Sequence, residues 1–486
     1  MCAYTCTRWR ARPERDPRRG LIAGRTYLVL GGPGVGKTTL GVQFLLDDDA
    51  DPSVLITLGE GAEQLRDNAV RLGRSLDAIS ILDLSPADDE PPTDRTYNLL
   101  ESWEAESDSI HDQIIEYVRE RRPSRILIDS LSQLRYLTPN TFQFRKQVLS
   151  LARYLTAAGS TLLISAEEGT AGGSDDDLQF MSDGVIHLTR GDSGLTCAVT
   201  KMRGSSFAAG AHHYRLDGRG MTVYPRLIPG EHGQSFTHES IGSGVPKLDR
   251  LVDGGIDRGT VTLVSGPTGV GKTTLAAHFM KEAAGRGERS AIYCFDEVRS
   301  TFMHRCESVG LPVHEMVDNG SLSFIAVEAL HYDADQFAFM VREEVETMGA
   351  RIVMIDSLAG YRQSVRGDDL VSRVHALCRY LVNMGVTVLL INEVRVIAGD
   401  EFRVSEDRVS YLADTILILR YAEIEGELRK TIGVLKKRTG EFERSLREFS
   451  ITGSGVALGR PLTEYLGLLR GVPQRRATAG GDRGDY

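Results

Sequence analysis

The sequence predicts an α/β fold built twice: two tandem phosphate-loop nucleotide-binding domains, each a mostly parallel sheet with helices on both faces. Three observations carry this prediction. The pattern G-x-x-x-x-G-K-[ST] occurs twice, 235 residues apart. Each copy lies between a short β-branched run and a helical pattern. Apolar strands ending in an acid then follow in the same order in both halves.

The first loop runs through Gly31, Gly32, Pro33, Gly34, Val35, Gly36, Lys37, Thr38 and Thr39. The second runs through Gly266, Pro267, Thr268, Gly269, Val270, Gly271, Lys272, Thr273 and Thr274. TYLVL (Thr26 to Leu30) precedes one and VTLVS (Val261 to Ser265) the other, both suited to buried parallel strands. The pattern has a chemical reason. Glycines let backbone N–H groups turn onto a triphosphate, lysine reaches its outer phosphates, and threonine supplies a magnesium ligand at the start of a helix. ATP and Mg²⁺ are therefore the expected ligands.

Further along, RILIDS ends a hydrophobic run at Asp129 and RIVMIDS ends one at Asp356. Asp129 lies 92 residues beyond Lys37 and Asp356 lies 84 beyond Lys272, each followed by Ser-Leu. An acid at such a strand end ligates magnesium opposite the loop threonine, so the metal set is Thr38 with Asp129 and Thr273 with Asp356. SAIYCF leads into Asp296 and Glu297, and SVLITLGE ends at Glu60. Glu297, helped by Asp296, is the candidate for orienting or deprotonating the attacking water, and Glu60 is its weaker counterpart after Gly59. Two later strands, STLLISAEE and VTVLLINE, close on Glu167 and on Asn392 and Glu393. Late in each half come TKMRG, with Lys201 and Arg203, and VLKKRTG, with Lys436 and Arg438. Two cations on one strand face reach a phosphate or merely a solvated surface.

Composition narrows the class. The 486 residues carry a net charge of −10, which argues against a general nucleic-acid or anionic-membrane surface. No apolar run spans a bilayer, and no apolar segment follows the arginine-rich start, so the expected location is the cytoplasm. Cys2, Cys6, Cys197, Cys294, Cys306 and Cys378 are scattered like cytosolic thiols. The expected division is a basic extension over 1–19, domains over 20–235 and 236–471, and a disordered tail over 472–486.

The ordered set of motifs resembles KaiC, the RecA-like double-domain ATPase family known from circadian clocks and with many archaeal relatives. The segment Ser240 to Gly259, SIGSGVPKLDRLVDGGIDRG, is especially similar to the family's domain start. The resemblance covers roughly residues 20–470. It implies a homo-hexameric signalling or regulatory ATPase with ATP bound between subunits. Lys201 and Arg203, or Lys436 and Arg438, would then complete a neighbour's site in trans. It also implies a second-domain Ser/Thr autokinase, whose acceptor position reads Ser410-Tyr411 here, with Ser405 upstream. Two departures matter. RWRARPERD stands where the first domain's start segment belongs, and Gly59 replaces one of the family's paired glutamates, which predicts slow hydrolysis in the first domain.

Two other classes compete. Recombination and repair ATPases share this core, but they need basic or aromatic loops. Here EEGTAGGSDDDLQ and AGDEFRVSEDR are acidic or mixed, so a nucleic-acid partner is disfavoured. A nucleotide-switched scaffold with incidental turnover is the third. Signalling partners have no motif in the sequence.

Overall fold

The structure, a computed structural model, describes residues 20–47, 52–85, 99–136, 141–168, 176–192, 194–367, 369–394, 409–470 and 473–475. The basic extension, most of both loops after the second acid strands, Ser405, Cys2, Cys6 and residues 476–486 lie outside these. The chain divides into two compact units between Arg226 and Leu227.

In the first unit the order is β1 (Thr26–Gly31), α1 (Lys37–Leu45), β2 (Ser53–Thr57), α2 (Ala62–Arg71), β3 (Ile79–Asp83), α3 (Leu99–Arg121), β4 (Arg125–Asp129), α4 (Leu131–Tyr136), α5 (Thr141–Ala157), β5 (Thr161–Ala166) and α6 (Asp176–Met181). Strands β6 (Gly184–Gly191), β7 (Gly194–Met202), β8 (Ala211–Asp217) and β9 (Gly220–Tyr224) complete it. They form one nine-stranded sheet in the order β3-β2-β4-β5-β1-β6-β7-β8-β9. Pairing is parallel from β3 to β6 and antiparallel from β6 onward.

The second unit opens with a two-stranded ribbon, β10 (Ser240–Ile241) and β11 (Ile256–Asp257), around α7 (Pro246–Leu251). Then come β12 (Val261–Gly266), α8 (Lys272–Gly285), β13 (Arg289–Cys294), α9 (Arg299–Glu307), α10 (Val313–Asp318), β14 (Leu322–Ala326), α11 (Ala334–Glu346), β15 (Ala350–Asp356), α12 (Leu358–Ser364), α13 (Leu370–Asn383) and β16 (Thr387–Glu393). The last four strands of its main sheet are β17 (Thr415–Ile424), β18 (Glu427–Lys437), β19 (Arg447–Thr452) and β20 (Gly455–Pro461). Its order, β14-β13-β15-β16-β12-β17-β18-β19-β20, repeats the first sheet position by position.

Period-two alternation explains the helices on both faces. In β1, Leu28 and Leu30 enter one core while Tyr27 and Val29 enter the other. In β15, Ile352 and Met354 face one core and Val353 and Ile355 the opposite one. These strands are buried on both sides, so they read as continuous apolar runs. The expected α/β class and its doubling are thus observed.

The unit boundary precedes the expected 235/236 division. Leu227 packs in a core cluster with Val261, Leu263 and Tyr380. Asn383 donates from Nδ2 to the Pro229 carbonyl, and the Gln234 N–H donates to the Asn383 carbonyl, each at 2.9 Å. These contacts hold residues 227–235 on the second unit. Among the described residues no helix is long and apolar enough to cross a membrane.

Candidate functional site

Both phosphate loops leave the end of the central strand, β1 or β12, and run straight into α1 or α8. The residue capping each helix is a left-handed glycine, Gly36 at φ 92° and Gly271 at φ 114°. A side chain there would be strained and would also approach Leu216 at 2.8 Å or Phe449 at 3.1 Å. The loop tips, Pro33 and Gly34, and Thr268 and Gly269, are exposed, whereas Val35 and Val270 are buried anchors.

The lysines fold over their own loops. Lys37 Nζ donates to the carbonyls of Gly31 and Gly32 at 2.8 Å, and Lys272 Nζ to that of Pro267 at 2.9 Å. Burial lowers the pKa of Lys37, opposed by Glu167 and then Asp129. Burial likewise lowers that of Lys272, opposed by Glu393 and then Asp356. Each lysine therefore faces two acids. Glu167 and Glu393 were readable only as strand-closing residues. Register reveals their equivalence, because Leu30 pairs with Ala166, one residue before Glu167, and Gly266 pairs with Glu393.

The magnesium-type acids end β4 and β15 as expected. Thr273 Oγ1 donates to Asp356 Oδ2 at 2.7 Å. Burial raises the pKa of Asp356, against the hydrogen bond from Thr273 and the charges of Lys272 and Arg305. A half-buried carboxylate beside a hydroxyl, both oxygen donors, suits a hard divalent cation. In the first unit, Asp129 accepts a hydrogen bond from the Ser165 hydroxyl, and Thr38 and Thr39 are half-buried at the start of α1.

The acids after β2 and β13 differ between units. Asp296 is exposed and accepts from Ser357 Oγ at 2.7 Å. Glu297 is half-buried and held by Arg305, which donates from Nε at 3.2 Å and from Nη2 at 2.7 Å. Glu60 meets the Asn68 side-chain amide at 3.4 Å. Arg305 was missed in the sequence. Its signal is a cation eight residues after the candidate base.

The late cations lie on the opposite rim from their own loops. Lys201 pairs in register with Val185 at the start of β6, and β6 begins beside Tyr27, at the start of β1. Lys436 pairs with Ile416 at the start of β17, beside Thr262 near the start of β12. A strand rises about 3.3 Å per residue, so a six-residue strand separates these cations from the loop of the same unit. The reach to a phosphate is thereby excluded within one unit. Lys201 Nζ donates to the Gln179 carbonyl at 2.6 Å, and Lys436 Nζ to that of Ala413 at 2.6 Å. Arg203 lies 3.7 Å from Asp183, and Arg438 donates to Asp414 at 3.0 Å. Ser410 sits on the same rim as Lys436, in a short 3₁₀ turn, Val409–Tyr411, ahead of β17.

A sequence profile described as "ATPase: KaiC" matches residues 15–228 and 241–462. Among curated proteins, the circadian clock oscillator protein KaiC of Thermostichus vulcanus is 26% identical over 472 residues, covering 94% of this chain and 89% of that one. The protein of that name from Parasynechococcus marenigrum is 25% identical over 475 residues, covering 94% and 91%. The one from Picosynechococcus is 26% identical over 474 residues, covering 94% and 90%. Doubled sheets of one strand order, paired phosphate loops and a profile spanning both units agree, and the chain belongs to the KaiC ATPase family.

Proposed function

We propose that both units bind ATP with magnesium at the carboxyl rim of the parallel sheet, and that the second hydrolyses it. The observation that carries this reading is the grouping of Lys272, Thr273, Asp356 and Glu393 around the second loop. Backbone N–H groups of Thr268 to Thr274 and the positive end of α8 receive the phosphates, and Lys272 neutralises their outer charge. Thr273 and Asp356, with Thr38 and Asp129 in the first unit, would hold magnesium, which when bound neutralises phosphate oxygens. Glu297 orients the attacking water, and Asp296 supports it from the adjacent position. Glu60 stands alone after Gly59, so the first site turns over more slowly.

The cations on the far rim complete this reading. Lys201 and Arg203, or Lys436 and Arg438, lie on the rim away from their own loops and suit a neighbouring copy's phosphates, in a homo-hexameric regulatory assembly. A ring of this kind brings one subunit's amino rim against the next subunit's carboxyl rim.

The test uses the purified full chain with γ-labelled ATP and magnesium. Phosphate release that falls sharply in Lys272→Ala and only slightly in Lys37→Ala is the expected result. Release unaffected by both substitutions overturns the assignment. Label kept on the protein and lost in Ser410→Ala would add autokinase activity at the second unit. Stimulation by single-stranded DNA would favour a DNA-transaction role instead.

A further inference from the structure

Glu297 is gripped by one side chain that also touches the phosphate-loop helix. Arg305, on α9, donates from Nε to Oε1 at 3.2 Å and from Nη2 to Oε2 at 2.7 Å, so both carboxylate oxygens are engaged. Its remaining nitrogen, Nη1, lies 3.4 Å from the hydroxyl of Thr274, a buried residue directly after Thr273. The guanidinium also stands 5.5 Å from the Phe302 ring. Both partners are shielded, with side chains 37% and 22% exposed. Such a bidentate pair is stronger and more directional than a single contact.

The first unit supplies a control within the same chain. Asn68 stands eight residues after Glu60, as Arg305 stands eight after Glu297. It offers one neutral amide at 3.4 Å. The same position therefore carries a cationic clamp in one unit and a weak neutral contact in the other.

We infer that Arg305 is a positioning residue that latches Glu297, and that the ion pair must open before the second unit hydrolyses ATP. A carboxylate whose two oxygens both pair with guanidinium N–H groups keeps spare lone pairs, but its charge is neutralised and its plane is fixed on Arg305, which makes it a weak base for an attacking water. The contact with Thr274 gives the opening a trigger. Triphosphate and metal held at Thr273 would engage the first turn of α8, which Arg305 touches through Thr274. This inference rests on the reading of Glu297 as the residue that orients water.

The experiment uses full-length protein carrying Lys37→Ala, so that turnover comes from the second unit. Arg305→Asn, copying the first unit, should raise magnesium-dependent ATP hydrolysis about fivefold to tenfold, equivalent to roughly 1 kcal/mol of barrier. Arg305→Lys, which keeps a cation but loses the bidentate fork, should give a smaller rise of about twofold. In a Glu297→Gln background, Arg305→Asn should have no accelerating effect. Affinity for a fluorescent ATP analogue should be unchanged throughout. A lower or equal rate in Arg305→Asn with nucleotide affinity retained overturns the latch, as does equal acceleration in the Glu297→Gln background. If Arg305→Asn loses nucleotide affinity through misfolding, Arg305→Lys decides: a rate there no higher than the parental one also overturns it. Loss of ATP binding in the Lys37→Ala parent would overturn the underlying functional reading instead.

Discussion

Six residues after the loop lysine, the first unit carries Gln43 and the second His278. Both accept a backbone hydrogen bond from the last strand of the main sheet. Gln43 Oε1 receives the Met221 N–H at 2.9 Å, and His278 Nε2 receives the Val456 N–H at 3.0 Å. Geometry is conserved across the repeat while the chemistry changes from neutral to titratable. The same holds beside the acid that follows β2 or β13, where Asn68 in the first unit is matched by Arg305 in the second. A third exchange is reciprocal. In the first unit Gly59 leaves room beside Gln133, whose Cγ would lie 3.5 Å from an added Cβ. In the second, Gly360 stands at the position of Gln133 and leaves room for Phe295, whose Cβ would lie 2.5 Å from a Cβ there, and for Asp296, whose carboxylate oxygens would lie 2.9 and 3.0 Å from it. At these three positions the first unit carries uncharged residues, and the second carries a titratable or charged one.

The largest effect expected separates the two acids. In a Lys37→Ala background, Glu297→Gln should lower phosphate release by about 10²–10³-fold, within the range for loss of a general base. Glu60→Gln in a Lys272→Ala background should change an already slow rate far less. Equal losses in steady-state assays would erase the contrast.

The next distinction is a pH effect on stability. Burial, helped by Lys281, pushes the His278 pKa down to about 4 from its ordinary 6.5. The neutral ring is the form that accepts from Val456, so the folded state resists protonation. Its contribution is complete above pH 6.5 and is lost as pH falls toward 4. Between pH 7 and pH 5 the second unit should lose about 2 kcal/mol through this group. Urea denaturation followed at both pH values checks this. His278→Gln, the first unit's solution, should flatten the dependence, and an unchanged slope would break the explanation.

Smaller still is the cost of filling the Gly360 gap. Gly360→Gln should displace Phe295 together with Asp296 and reduce second-unit turnover roughly tenfold, with ATP affinity retained. The reverse exchange, Gly59→Asp with Gln133→Gly, should raise first-unit turnover about threefold in the Lys272→Ala background. Gly59→Asp alone should give less, because Gln133 occupies the space. Steady-state rates for the single and double variants decide it.

Much of this was legible in the sequence, and the reason is locality. The loops, their lysines and threonines, and Asp129 and Asp356 announce themselves through short motifs at the ends of apolar runs. Two nine-stranded sheets follow from the alternation of such runs with helical patterns. What was hidden depends on which strands become neighbours. Glu167 and Glu393 face the lysines only because β5 and β16 pair with β1 and β12. The far-rim location of Lys201 and Lys436 follows from antiparallel pairing of β7 with β6 and of β18 with β17. Arg305 and Asn68 lie close in sequence to their acids, yet no motif separates them from ordinary surface residues of a helix. Leu227 joins the second unit's core ahead of any element recognisable in the sequence.

The central claim is that each half of this chain grips its own nucleotide. Equilibrium titration with a fluorescent ATP analogue in magnesium tests it most directly, read as nucleotides bound per chain. The account predicts two for the unaltered protein, one for Lys37→Ala, one for Lys272→Ala and none for the double variant. A double variant that still binds two would contradict it.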